Sequence, residues 1–121
     1  MKNKRTVVIG ASDNPERYAY MATIRLLENG HEVFLEGIRT GNIADLPIST
    51  ERKLYDNIDT VTLYVGPQNQ PVWYDYIFAL QPKRLIFNPG TENGELMEMA
   101  ASRGIEVCVA CTLVMLSVGN Y

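Results

Sequence analysis

The sequence predicts a three-layer α/β domain, with helices on both faces of a mostly parallel sheet of five to six strands. Two observations predict this fold. Short β-branched runs alternate with segments in which apolar residues recur at helical spacing, a pattern typical of repeated strand–helix–strand units. Glycine or proline stands at most boundaries between these segments. The 121 residues contain no repeat and no low-complexity tract, so we expect one domain over residues 1–121.

The first half of the chain begins with a strand, a polar loop and a helix. The β-branched run Thr6–Ile9 predicts the first strand, and helical spacing continues from about Tyr18 to Asn29, where Gly30 ends it. The apolar residues on one face of this helix, widened by Leu26, are Met21, Ile24 and Leu27. Glu32–Glu36 predicts a second strand, and a short third strand is expected near Ile48–Thr50.

The second half continues the alternation of strands and helices. Strands are predicted at Val61–Val65, Arg84–Phe87 and Ile105–Val109. Helices are predicted at Pro71–Leu80, Glu92–Arg103 and Leu113–Val118. Such alternation implies right-handed crossovers and a Rossmann-like arrangement of the sheet.

The predicted fold indicates at which edge of the sheet each polar segment lies. In parallel α/β sheets, ligands bind outside the carboxyl ends of the strands, where the strand order reverses. The segments that follow strands, and are therefore expected at this edge, are Gly10–Ser12, Glu36–Arg39, Gly66–Gln68, Asn88–Thr91 and Cys111. His31 precedes the second strand, so we expect an exposed turn residue at the opposite edge.

The turn Gly10-Ala11-Ser12 is the most informative motif of the chain. It joins the first strand to a polar loop and a helix, so backbone N–H groups and the positive end of the helix dipole should face an anion there. Ser12 and Pro15 stand where the G-x-G-x-x-G fingerprint has its second and third glycines. The turn therefore predicts phosphate binding but is weak evidence for a dinucleotide. Gly10 is also compatible with a tight strand-to-helix turn alone.

Val8–Arg17, together with the helix end and strand start at Leu26–Val33, resembles the small bacterial CoA-binding-domain proteins. These are relatives of the CoA-binding N-terminal domain of the succinyl-CoA synthetase alpha subunit. Ile58–Val61 and Asn88-Pro89-Gly90 fall where that family has equivalents, so the likeness covers nearly the whole chain.

The resemblance implies that coenzyme A, free or as acyl-CoA, is the small-molecule nucleotide ligand. Gly10, Ala11 and Ser12 would then hold its pyrophosphate, while Arg17 and Tyr20 match the basic residue after the turn and the aromatic residue early in the helix. The resemblance and the edge rule together give these expected ligand-binding residues: Gly10, Ala11, Ser12, Arg17, Tyr20, Arg39, Gly66, Asn88 and Gly90.

The chain departs from the family pattern in two places. After the second strand the family has a proline and a lysine against the adenosine, where this chain has Ile38 and Arg39. Arg39 keeps the positive charge, but Glu36 would oppose a nearby 3′-phosphate. Near the last strand the family often has Asp-Arg-Cys, whereas this chain reads Val109-Ala110-Cys111, which puts shared chemistry at that end in doubt.

Two other functions stay open at this point. A carboxylate at the end of the second strand is the ribose-binding signature of NAD(P) oxidoreductases, although Glu36 lies further from Gly10 than the usual ~20 residues. A solvated acid at a strand end is an equally good explanation of Glu36. The third function is that of an interaction module whose nucleotide site has decayed.

The sequence favours binding over catalysis. Cys108 and Cys111 form a C-x-x-C, but Cys108 falls inside the last strand as a small core residue, and only Cys111 reaches a helix N-terminus. One such pair and a single distant histidine fall short of the ligands that a metal site needs. We identify no Ser/His/Asp set and no close pair of carboxylates for general acid–base catalysis.

Composition narrows the expected partners and location. A net charge of −3 and a pI of about 5.1 argue against a nucleic-acid or acidic-membrane surface. Two cysteines cannot form the disulfide framework of a small secreted domain, and no apolar stretch approaches the roughly 20 residues of a membrane span, so we expect a cytoplasmic protein. The aromatic cluster Trp73, Tyr74 and Tyr76 predicts either packing against the sheet or a homodimer interface.

Overall fold

The computed structural model describes residues 3–121, which form an α/β structure with a seven-stranded, mostly parallel sheet and four α-helices. The strands are β1 Thr6–Ile9, β2 Val33–Glu36, β3 Gly41–Ile43, β4 Leu46–Ser49, β5 Thr60–Leu63, β6 Arg84–Phe87 and β7 Glu106–Val109. The helices are α1 Tyr18–Glu28, α2 Tyr74–Leu80, α3 Gly94–Ser102 and α4 Thr112–Val118. Across the described residues, no helix has the length and apolar character needed to cross a membrane.

The strand order β3-β4-β2-β1-β5-β6-β7 places β1 near the middle of the sheet. All neighbours are parallel except β3, which runs antiparallel to β4. The chain moves from β1 outwards to β2 and later returns to β5 on the other side, so the strand order reverses between β1 and β5. At the end of β1, Ile9 pairs with Glu36 of β2 and Leu63 of β5. Loops from three neighbouring strands therefore leave the sheet side by side.

The sheet has more strands than the five to six predicted, because a hairpin adds β3 at the edge. The expected strand near Ile48–Thr50 is present as β4, slightly earlier in the chain. Its antiparallel partner β3 has three residues, two of which are Gly41 and Asn42, so it carries almost no strand signal in the sequence. Ala44, with φ of 54°, makes the tight turn between them.

Two apolar layers sandwich the sheet. Val7 and Ile9 of β1 face a core shared with α2 and α3, whereas Val8 faces the core shared with α1 and α4. This alternation along one strand explains why β1 is a continuous apolar run, since both of its faces are covered. Three layers were predicted, and they are confirmed.

The buried face of α1 differs from the predicted one. Its buried residues are Ala19, Ala22, Thr23 and Leu26, while Met21 is 38% exposed and both Ile24 and Leu27 are only half-buried. Small side chains let the helix backbone approach the sheet closely, and the hydroxyl of Thr23 donates to the carbonyl of Ala19 at 2.8 Å. A count of large apolar residues therefore predicted the wrong face.

The aromatic cluster before α2 packs within the chain. A 3₁₀ turn occupies Pro71–Trp73, so the α-helix begins three residues later than predicted. Trp73 and Tyr76 are buried in the core under α2, which agrees with packing against the sheet. The guanidinium of Arg52 lies 4.0 Å from the Trp73 ring centre and covers its outer face.

His31 lies at the edge opposite the carboxyl ends of the strands, as predicted, but it is buried rather than exposed. It is 8% exposed, and its Nδ1 accepts a hydrogen bond from the Lys4 N–H at 2.9 Å. The Tyr121 ring lies 5.0 Å away, centre to centre. The segments that precede β1 and follow α4 cover the histidine. Because both are distant in sequence, the burial of His31 could not be predicted from its neighbours.

Candidate functional site

The turn after β1 lies where the strand order reverses. Gly10 has a φ of 93°, and a Cβ there would lie 2.8 Å from the carbonyl oxygen of Tyr64, which follows β5. Both the conformation and the close backbone approach therefore require glycine. The N–H groups of Gly10 and Ala11 donate to the carbonyl of Glu36 at 2.9 and 3.1 Å, so these two residues fix the turn to the end of β2.

Along this turn, the amide groups without a protein acceptor among the described residues begin at Ser12. Within residues 3–121, the backbone N–H groups of Ser12 and Asp13 donate to no protein acceptor. Asn14 ties the rest of the loop together, since its N–H donates to the Ser12 hydroxyl, its side chain accepts from the Glu16 N–H, and its carbonyl accepts from the Arg17 N–H. The loop is thus held in shape while two donors stay available for an anion.

The N-terminus of α1 follows this loop and is not capped. Arg17 is the N-cap in an extended conformation, with no side-chain cap and no acidic residue in the first turn. In the described part of the chain, the N–H groups of Tyr18 and Ala19 have no protein acceptor either. The positive end of the helix dipole is therefore left unneutralised beside the turn, an arrangement that favours a bound anion.

A second loop packs against this turn. A Cβ on Gly37 would lie 2.6 Å from the Ala11 carbonyl oxygen, and one on Gly41 would lie 2.5 Å from an Asp13 carboxylate oxygen. The two glycines let the β2–β3 loop contact the loop after β1 directly. Between them, Arg39 is exposed and Ile38 is 84% exposed. The sequence placed Gly37 in a segment expected at this edge but assigned no role to either glycine. Their positions on either side of Ile38 and Arg39 were the available signal.

Both sequence-based interpretations of Glu36 are wrong, because its side chain is fully buried and points into the fold. The carboxylate accepts hydrogen bonds from the Arg52 N–H at 2.9 Å, the Lys53 N–H at 3.2 Å and the Tyr55 hydroxyl at 2.7 Å. Burial and this carboxylate raise the pKa of Tyr55. Glu36 fastens the segment before β5 to the sheet, so it is neither a solvated acid nor an acceptor free for a ribose hydroxyl.

Asn88, after β6, uses its side chain inside the protein. It is 1% exposed, and its amide nitrogen donates to the Thr62 hydroxyl at 2.6 Å and the Leu63 carbonyl at 2.8 Å. Its amide oxygen accepts from the Thr112 N–H at the start of α4, at 2.9 Å. Asn88 therefore links the end of β6 to β5 and to the start of α4 and stabilises this edge of the sheet.

The loops after β5 and β6 are joined by a residue that the sequence did not single out. The buried Gln70 side chain donates to the carbonyls of Val65 and Thr91 and accepts from Asn93. Gly90, with φ of 92°, needs its glycine for the turn and donates its N–H to Glu92. Gly66 has an ordinary φ of −62°, and a Cβ there would meet only the flexible Gln68 side chain, so its backbone does not demand glycine.

The remaining predicted site residues divide between the loop and the helices. Arg17 is exposed at the start of α1, and neither it nor Arg39 has an acidic partner among the described residues. Tyr20 is half-buried in the first turn of α1 and packs against the core shared with α4. Cys111 is the N-cap of α4 and Cys108 lies in β7, as predicted. The expected burial of Cys108 is wrong, because both free thiols are half-buried.

The hydroxyl of Tyr64 is a further polar group near this edge. It is buried and, within the described chain, has no hydrogen-bond partner. Burial raises the pKa of this phenol, so the group is a neutral donor at physiological pH. Tyr64 directly follows β5 and packs on the side of α1 and α4.

Comparisons with known proteins agree with this architecture. An uncharacterised protein of known crystal structure is 48% identical, with both chains covered in full and a TM-score of 0.98. A hypothetical protein from Pyrococcus horikoshii OT3 (24% identical, 97% of this chain and 84% of that chain, TM-score 0.85) and a Thermus thermophilus protein (20% identical, 98% and 91%, TM-score 0.85) share the fold. No curated protein matches. The CoA binding domain family matches residues 4–117, and the chain belongs to that family.

Proposed function

We propose that this protein binds coenzyme A, free or acylated, with the pyrophosphate at the N-terminus of α1. The observation that carries the proposal is the uncapped start of this helix. Among residues 3–121, four backbone N–H groups along the turn and the first helical residues have no protein acceptor, those of Ser12, Asp13, Tyr18 and Ala19. Membership of the CoA binding domain family supports coenzyme A as the anion that these groups would bind.

The residues of this edge fit the charged parts of coenzyme A. Backbone amides suit the pyrophosphate, and the guanidinium of Arg17 adds a donor that can bind two phosphate oxygens at once. Arg39 would meet the 3′-phosphate, and the exposed side chain of Ile38 offers an apolar contact for the adenine ring. Asp13 also lies in this loop, against Gly41, and its carboxylate opposes an anion.

The role proposed for the chain is binding and orientation. Coenzyme A supplies a thiol that carries acyl groups when it is bound. The chain's own residues would hold the phosphates and fix the nucleotide end, and we assign no residue a catalytic step. The nicotinamide alternative loses its main support, because the Glu36 carboxylate is occupied by three internal donors.

Calorimetric titration with coenzyme A tests the proposal. Replacing Arg17 by Gln removes one charge-assisted contact to phosphate, and we expect the Kd to rise about 10-fold, the equivalent of ~1.4 kcal/mol. Lys83→Gln is the matched control, because Lys83 is an exposed cation before β6, at the opposite edge of the sheet. Equal weakening by both variants, or no heat of binding with the wild type, would refute the proposal.

A further inference from the structure

The segment that follows α4 packs at the edge of the sheet opposite the candidate site. Gly119 and Asn120 end the helix, and their N–H groups both donate to the carbonyl of Met115. Tyr121 comes next, is 9% exposed and packs in the core shared by α1 and α4. We call residues 119–121 the α4 latch.

Tyr121 is held by groups at the starts of two strands. Its hydroxyl shares a hydrogen bond with the hydroxyl of Thr6 at 2.7 Å, and burial raises the pKa of this phenol, so it is neutral. Its backbone oxygen accepts hydrogen bonds from the Lys4 ammonium and the Arg84 guanidinium, both at 2.7 Å. The guanidinium also lies 4.5 Å from the centre of the Tyr121 ring. Two cations therefore converge on one residue of the latch.

His31 lies beside these two cations and is in its neutral form. Its ring centre is 5.0 Å from that of Tyr121, and its Nδ1 accepts a hydrogen bond from the Lys4 N–H at 2.9 Å. A ring nitrogen that accepts a hydrogen bond carries no proton, so the proton of the neutral ring is on Nε2. Protonation of Nδ1 would remove the acceptor of the Lys4 N–H and add a third positive charge beside Lys4 and Arg84.

The surroundings of His31 disfavour the protonated ring. Burial, Lys4 and Arg84 lower its pKa, and Asp59 opposes them. The carboxylate of Glu32, the next residue in the chain, is bound by the side chains of Asn3 and Arg5. A positive charge on His31 is therefore more stable where the ring is exposed to water than where the latch covers it.

We propose that the α4 latch is acid-sensitive, so that protonation of His31 releases Tyr121 and frees the last turn of α4. The latch lies outside the sheet, so its release exposes His31 without breaking any strand pairing. The start of α4 stays in place, because Thr112 is bonded to Asn88 and Thr62 near the other edge. The release is therefore a local opening and not an unfolding of the domain.

Amide hydrogen exchange followed by NMR tests the proposal. The Gly119 and Asn120 amides report on the latch, and the Tyr64 amide, which donates to Ile9 at 2.8 Å between β1 and the end of β5, reports on the sheet. A solvated histidine with a pKa near 6.5 is almost fully protonated at pH 5, which favours an open form by up to about 30-fold. After correction for intrinsic exchange rates, protection of the latch amides should fall by up to this factor between pH 7.5 and pH 5. Their protection should stay well below that of Tyr64 at both pH values.

Two variants separate the titration from the packing. His31→Gln keeps a side-chain oxygen that can accept the Lys4 N–H but does not titrate, so latch protection should be equal at pH 5 and pH 7.5. Tyr121→Phe is the matched control, because it removes the hydrogen bond to Thr6 and keeps the ring. It should lower latch protection at both pH values and retain the pH dependence.

Three results would overturn the proposal. The first is equal protection of the wild-type latch amides at pH 5 and pH 7.5. The second is a pH dependence that persists in His31→Gln, which would assign the release to another titrating group. The third is latch amides as strongly protected as that of Tyr64, which would show that the latch opens only when the whole domain unfolds.

Discussion

A buried carboxylate shows how a single residue can change the interpretation of a site. Glu36 stands at the end of β2, where a ribose-binding acid would be expected. Its carboxylate instead accepts hydrogen bonds from three groups within residues 52–55. We expect Glu36→Gln to lower the free energy of unfolding by about 1–3 kcal/mol, because buried donors lose their charged acceptor. Urea denaturation measures this loss, and coenzyme A affinity of the folded variant should stay within about twofold.

Glu51→Gln is the control for that substitution, since Glu51 is exposed in the neighbouring segment and should be nearly neutral. If Glu36→Gln had normal stability but lost nucleotide binding, Glu36 would be a ligand residue after all.

His31 should make stability depend on pH. Burial lowers its pKa below 6.5, helped by the charges of Lys4 and Arg84 and opposed by Asp59. Above about pH 6.5 the histidine is neutral in both states and its contribution to stability is complete. As the pH falls below 6.5, the unfolded chain takes up the proton first, so the free energy of unfolding decreases until the lower native pKa is reached.

The pH dependence is measured by urea denaturation of the wild type and of His31→Gln between pH 5 and pH 7.5. The variant lacks the titrating ring, so the difference between the two curves should shrink towards acid pH. A difference that is constant over this range would show that His31 titrates alike in the folded and unfolded chains.

The start of α4 should distinguish the two thiols. Cys111 is the N-cap of that helix, whereas Cys108 lies within β7 and packs against the core. Because the Cys108 side chain packs against that core, we expect iodoacetamide to modify Cys111 several-fold faster in the native protein. Peptide mass mapping measures both rates, with the urea-unfolded protein as the control. Faster native modification of Cys108 would contradict this assignment.

At the level of elements, the strands were easier to predict than the helix faces. Strands such as β1 and β6 are apolar runs covered on both sides, so their residue types alone identify them. The face of α1 could not be predicted from large apolar residues, because Ala19 and Ala22 make the close contact with the sheet. The short strand β3 forms because β4 pairs with it, a tertiary cause with no local signal.

The candidate site was predictable in place but less so in detail. The turn at Gly10 and the uncapped helix follow from a strand, a small-residue turn and a helix in succession. The internal partners of Asn88 and Glu36 depend on segments 24 and 16 or more residues away, which spacing does not indicate. Gly37 and Gly41 are needed because the β2–β3 loop packs against the turn after β1, a contact that local sequence does not indicate.

At the scale of the whole molecule, the sheet order brings the candidate site together. Because β1 lies between β2 and β5, the turn after β1 meets the loop after β2 on one side and Tyr64 on the other. The net charge of −3 opposes an anionic ligand. The proposed binding of coenzyme A would therefore depend on the local donors of α1 and on Arg17 and Arg39.

A comparison of thermal melts tests whether the turn before α1 selects coenzyme A. Coenzyme A, dephospho-coenzyme A, NAD and NADP are added at one concentration. A ligand at 100 times its Kd stabilises by about 2.7 kcal/mol, roughly 10 °C for a chain of this size. We predict the largest shift with coenzyme A, a smaller one without the 3′-phosphate that Arg39 would meet, and little with NAD or NADP. Stabilisation by NAD and none by coenzyme A would contradict this prediction.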